Sequence, residues 1–221
     1  ELSPEKFSIA DFVEKEFQHP DLFERCRQYQ VLLKEHKKSP LFQYYSVREP
    51  AVGSRTTFCL AGSGKSIEAV SFASYDYLGF SNEESVKEAA IKAIEKYGVS
   101  PTGTMILSGK TSLHNELESK LAKTFNKEDC IVFSNGFATN VGTLSGFLRP
   151  NDLVIADIYS HASIHDGIVA SKARARYFRH NDLISLKSLL QKHRAESNGT
   201  LLVTEGLFSM EGTIPDLHNF V

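Results

Sequence analysis

An α/β fold built on a mainly parallel sheet is predicted by three features of this sequence. Strand-like and helical segments alternate strictly over residues 153–205, which implies parallel β-α-β units with helices covering both sheet faces. The stretch at residues 130–140 (CIVFSNGFATN) turns from β-forming residues through Ser134-Asn135-Gly136 into a helical pattern. Polar residues also stand at three strand ends: Ser134-Asn135-Gly136, Asp157-Ile158-Tyr159-Ser160-His161 and Glu205-Gly206-Leu207-Phe208-Ser209. Ligands in such sheets bind beyond the carboxyl ends of strands, so these ends are expected to converge on one crevice.

The elements follow in order. Residues 1–38 read as two helices broken at His19-Pro20, the first opening at Ser3-Pro4-Glu5-Lys6 with Pro4 tolerated in its first turn. The second runs over residues 21–37, with Leu22, Cys26, Tyr29 and Leu33 on one face. This arm reads as a packing element or as a docking surface for a partner or neighbouring domain. Pro40 and Pro50 bracket an extended connector, and residues 56–60 and 67–72 flank Ala61-Gly62-Ser63-Gly64 as a hairpin. The GSGKS of residues 62–66 is not a phosphate loop, because Cys59 stands where that motif needs glycine and β-like residues follow it. Ser81 and Glu84 have capping-box spacing for a helix to Tyr97, with Val86, Ala89, Ala90 and Ile94 inward and Gly98 ending it. A loop of small polar residues, 99–105, leads to Ser112, which is expected to cap a helix through Leu113, Leu117 and Leu121 to Phe125.

Residues 130–133 form the next predicted strand, and Phe137, Val141, Leu144 and Leu148 recur at helical spacing after it. A strand that turns on glycine into a helix exposes free N–H groups where the helix dipole favours an anion, most often phosphate. Asn-Gly is also ordinary turn chemistry. The remaining elements are a strand at Leu153–Asp157, a helix over 164–173, a strand over 176–178, a helix over 183–194 and a strand over 200–205.

The chain has 221 residues, 41% hydrophobic and 24% charged, with a formal net charge of −2. That suits one large or two small globular domains and gives no global basic field for nucleic acid. Its apolar runs are far shorter than a membrane span, and no secretory leader opens it. Cys26, Cys59 and Cys130 are isolated and odd in number, fitting neither a disulfide framework nor a zinc spacing. A reducing, cytoplasmic compartment is the expectation.

Seven motifs occur in order over residues 70–217: SYDYLGF, Tyr97-Gly98 before the small-residue loop, SGKTSLHNELESKLAKTF, VFSNGFATN, the HAS of His161–Ser163, FRHND from Phe178, and TEGLFSMEGTIPDL from Thr204. Together they resemble the α-oxoamine synthases, pyridoxal-phosphate enzymes of fold type I. The resemblance implies that residues 1–72 form a helical arm, connector and hairpin, and that residues 73–221 form an incomplete part of the large cofactor-binding α/β domain. It implies that Gly136 and Phe137 bind the cofactor through their backbone, that His161 stacks on the cofactor ring and contacts substrate, and that Ser209 contacts the cofactor. Glu205 would organise the site by hydrogen bonding. Asn140 lines the site or packs its helix, His114 matches a family position without assigned chemistry, and His180 reads as strand-end structure.

The implied reaction condenses an α-amino acid with an acyl thioester, losing CO2 and giving an α-amino ketone, in a homodimer. The resemblance puts the cofactor lysine and the aspartate facing the pyridinium nitrogen after Val221, so this chain alone is expected to be inactive. Residues 100–105 replace a glycine-rich loop, and Asp76 stands where Asn is usual. These departures point to an unusual acyl group or to an acyl carrier protein in place of coenzyme A. A non-catalytic scaffold subunit and another fold-type I enzyme, an aminotransferase or carbon–carbon lyase, are the alternatives.

Overall fold

The computed structural model describes residues 20–39, 44–49 and 53–220. The first predicted helix of the arm and parts of the connector lie outside the described residues. The chain divides into two compact units, Glu1–Thr104 and Met105–Val221.

In the first unit, helix α1 (Leu22–His36) is capped by Asp21, whose carboxyl accepts from the Phe23 N–H at 2.9 Å. Leu32 is its buried residue, whereas Leu22 and Cys26 of the expected face are exposed. Val31-Leu32-Leu33 distributes apolar residues around the helix, so packing rather than periodicity selects the buried one. Strands β1 (Val47–Arg48), β2 (Arg55–Cys59) and β3 (Ser66–Val70) form an antiparallel sheet in that order. The β2–β3 connection closes with Leu60 N–H donating to the Lys65 carbonyl at 2.9 Å and with Gly64 at φ +66°. The GSGKS segment is therefore a hairpin tip.

Helix α2 (Glu84–Tyr97) ends at Gly98, φ +76°, as expected. Its cap is Glu83, not Ser81, because a 3-10 turn over Phe80–Asn82 takes up Ser81 and leaves Glu83 extended. The expected inward face is uncovered among the described residues: α2 buries no residue, and Val86 and Ile94 are 45% and 50% exposed.

In the second unit, α3 (Ser112–Thr124) is capped at Thr111, one residue before the expected Ser112. His114 closes the capping box, its Nδ1 accepting from the Thr111 N–H at 3.1 Å, which gives this histidine a structural role. Helix α4 (Gly136–Phe147) follows, then β4 (Leu153–Asp157), α5 (Ala162–Ser171), β5 (Arg174–Phe178), α6 (Leu183–His193) and β6 (Thr200–Val203). The three strands are parallel in the order β5-β4-β6, with Ala156 level with Tyr177 and Val203. Every residue of β4 is buried. Val154 and Ala156 pack with Leu144, Leu148, Ile164 and Ile168 of the α4–α5 segment, and Leu153 and Ile155 pack with Phe178 and Leu186 on the other face. Strand alternation thus builds two cores, each such aliphatic side chain contributing about 2 kcal/mol. Asp182 caps α6 by accepting from the Ser185 N–H at 2.9 Å; that bond, and then nearby Arg179, hold its carboxyl below the ordinary carboxylate range.

The predicted strand at residues 130–133 does not form. It has no ladder partner among the described residues, and Ile131 is 75% exposed. β-forming side chains become a strand only against a neighbouring edge, and the described edges of this sheet belong to β5 and β6.

Candidate active site

Helix α4 opens where the central stretch predicts. Asn135 accepts from the Ala138 N–H through Oδ1 at 2.8 Å, and its carbonyl accepts from Thr139 N–H at 3.0 Å. The N–H groups of Gly136 and Phe137 have no partner among the described residues. A side chain built on Gly136 would meet nothing within 4 Å, so the helix start is open to an anion.

The turn after β4 brings His161 to this helix start. Its ring lies edge-on to Phe137, with centroids 6.5 Å apart. His161 is the N-cap of α5; its Nδ1 accepts from the Ser163 N–H at 3.2 Å and lies 2.7 Å from Ser163 Oγ. Ser163 is fully buried, and its Oγ is 2.9 Å from Asn140 Nδ2 on α4. Just past β6, the Glu205 carboxyl accepts from the backbone N–H of His161. Phe137, His161 and Glu205, three residues singled out from sequence, therefore meet, together with Asn140. Ser209 is exposed on the turn after β6 and takes no part in these hydrogen bonds.

A second set of bonds supports the same strand ends. Asp157 is fully buried; its Oδ1 accepts from the Tyr159 N–H at 2.9 Å and from His180 Nδ1 at 3.0 Å, and its Oδ2 accepts from the Asn181 N–H at 3.0 Å. His180 Nε2 lies 2.8 Å from Thr213 Oγ1, while its ring stacks on Tyr159 at 4.8 Å and meets Phe208 edge-on at 4.5 Å. His180 is thus strand-end structure that joins β4 to the turn bearing Ser209. Asp157, Ser163 and Thr213 received no role from sequence. Ser163 lay inside the HAS motif and Thr213 inside TEGLFSMEGTIPDL, and that membership was their only signal.

Residues 67–221, more than half of the chain, match the family described as aminotransferase class I and II. The chain belongs to that family. The 4-hydroxy-2,2'-bipyrrole-5-methanol synthase PigH of Serratia sp. is 37% identical over 210 residues, covering 95% of this chain and 32% of that protein. A putative 8-amino-7-oxononanoate synthase of Gloeobacter violaceus is 40% identical over 167 residues, covering 74% of this chain and 43% of that protein. Serine palmitoyltransferase solved with pyridoxal phosphate superposes with a TM-score of 0.80 at 29% identity, over 90% of this chain and 49% of that one. These are relatives of the α-oxoamine synthase type, as the seven motifs imply, and the sheet belongs to fold type I. This aminotransferase-class chain spans about a third to a half of their length, an N-terminal portion.

Proposed function

We propose that residues 73–221 form part of the cofactor-binding domain of a pyridoxal-phosphate-dependent synthase that condenses an α-amino acid with an acyl thioester, releasing CO2 and an α-amino ketone. The observation that carries this reading is the junction of His161 and Glu205 across two strand ends, before the open start of α4. The site's shape fits the cofactor. Gly136 and Phe137 offer N–H groups and an unobstructed approach for its phosphate, His161 offers an exposed ring to lie against its ring, and Ser209 supplies a hydroxyl nearby in sequence to Glu205. When bound, pyridoxal phosphate supplies the electron sink that stabilises a carbanion at the amino-acid α-carbon.

The protein's own part is positional and electrostatic. The α4 dipole and its two N–H groups hold a dianion at one place. Glu205 anchors the backbone of His161, so the ring is presented from a fixed point. Phe137 beside it shields one side of the site from water. His161 hydrogen-bonds charge that develops on the substrate and is the catalytic residue of this reading. Residues 1–72 serve as an arm, connector and hairpin, and the functional unit is a homodimer. The acyl group arrives on coenzyme A or on an acyl carrier protein. The three free cysteines accord with a cytoplasmic setting; among the described residues no helix is long and apolar enough to cross a membrane.

The test uses the protein at its natural length, pyridoxal phosphate, carboxyl-labelled amino acids, and acyl thioesters of coenzyme A and of carrier protein. Thioester-dependent release of labelled CO2 is expected, falling about 100-fold in His161→Ala. An absence of release with every amino acid and both thioester classes contradicts the proposal.

A further inference from the structure

We infer that Asn140 and Ser163 are positioning residues that fix His161 as the tautomer protonated on Nε2, so that its ring meets the substrate as a hydrogen-bond donor and not as a base. The substrate side of this statement rests on the function proposed above. The tautomer rests on hydrogen-bond direction alone.

The Ser163 backbone N–H can only donate, and it is directed at His161 Nδ1 over 3.2 Å. At that length it favours a lone pair on Nδ1, and the shorter contact to the hydroxyl completes the choice. Ser163 Oγ stands 2.7 Å from the same nitrogen. With no proton on Nδ1, the hydroxyl proton occupies that contact and Ser163 Oγ donates. A hydroxyl has one proton to give, so the 2.9 Å contact from Asn140 Nδ2 to Ser163 Oγ is one the hydroxyl accepts. The donors run in one direction, Asn140 to Ser163 to His161. Ser163 is fully buried, so water does not substitute for either partner.

A neutral imidazole with Nδ1 as acceptor carries its proton on Nε2. The opposite tautomer would set an Nδ1 proton against the Ser163 backbone N–H and would leave the buried hydroxyl accepting from both Nδ1 and Asn140 Nδ2 with its own proton unplaced. The Glu205 carboxyl takes the backbone N–H of His161, so it is not the partner that would draw a proton onto Nδ1. Nε2–H is left to donate to a substrate carboxylate or to an oxyanion forming on the acyl carbonyl.

The test is nitrogen-15 NMR of histidine-labelled, natural-length protein at neutral pH, with the His161 signal assigned by its loss in His161→Gln. Wild type is expected to show an unprotonated Nδ1 and a protonated Nε2. Asn140→Asp keeps the shape but offers Ser163 an acceptor in place of a donor. It is expected to turn the hydroxyl around and shift His161 toward the Nδ1-protonated form. Ser163→Ala, a second variant should Asn140→Asp fail to fold, is expected to give a mixture of tautomers, while Ser163→Thr retains the wild-type pattern. A wild-type ring protonated on Nδ1, or a tautomer indifferent to both Asn140→Asp and Ser163→Ala, overturns the inference. These signals need neither cofactor nor thioester. Failure of CO2 release with the Nε2 tautomer present would remove the proposed function and leave the positioning roles standing; the reverse pattern would do the opposite.

Discussion

Asp157 ties the end of β4 to the segment that follows β5. Its carboxyl is buried and accepts from two backbone amides and from His180. In Asp157→Asn one acceptor becomes an NH2 group facing donors, and a buried polar cluster loses its match. A loss of about 3 kcal/mol is expected, measured as a fall in the urea midpoint at neutral pH with an unchanged slope. An unchanged midpoint would show that these bonds contribute nothing. At this scale, motif residues were legible in part. His161 and Glu205 were named with their strand ends, and they touch. Asp157 is legible in sequence only as the first polar residue of a strand end, because two of its three partners, His180 and the Asn181 amide, come from the segment after β5, more than twenty residues away. Ser163 was hidden because its importance lies in a proton direction, which composition and spacing do not encode.

Between elements, the approach of α4 to α5 decides whether Asn140 reaches Ser163. Gly167 makes that approach close: a Cβ there would stand 2.9 Å from Leu144 Cδ1, 3.1 Å from Leu144 Cβ and 3.0 Å from the Asn140 carbonyl. The carbonyl belongs to the α4 backbone and cannot swing aside. Gly167→Ala is expected to cost about 1–3 kcal/mol by overpacking, outweighing the roughly 1 kcal/mol that alanine gains over glycine in a helix. Thermal denaturation checks it, and a higher midpoint in the variant would mean that the helices separate freely. The alternation from β4 to β6 was readable because each of those elements carries its own periodicity and finds its partner within the described residues. Residues 130–133 carry the same β-forming chemistry without an edge to pair with. The apolar face of α2 has helical spacing, yet the helix buries no residue. In both, local preference is present and no tertiary partner stands among the described residues, and a pattern of residues reports only the first.

For the whole molecule, length carries the argument. The chain covers 32% of PigH and 49% of the serine palmitoyltransferase it superposes on. Three large apolar side chains among the described residues, Phe72, Tyr75 and Ile106, are more than 90% exposed, as expected of surface that further chain or a second copy covers. On the proposed reading, Gly136, Phe137, His161 and Glu205 hold one side of the cofactor, and the lysine that bonds to it comes from chain beyond Val221. The most direct measurement is the denatured intact mass of the natural-length protein after incubation with pyridoxal phosphate and borohydride reduction, followed by peptide mapping. One pyridoxyl phosphate is expected, on a lysine outside these 221 residues. No adduct, or an adduct on a lysine within them, would contradict the proposed reading.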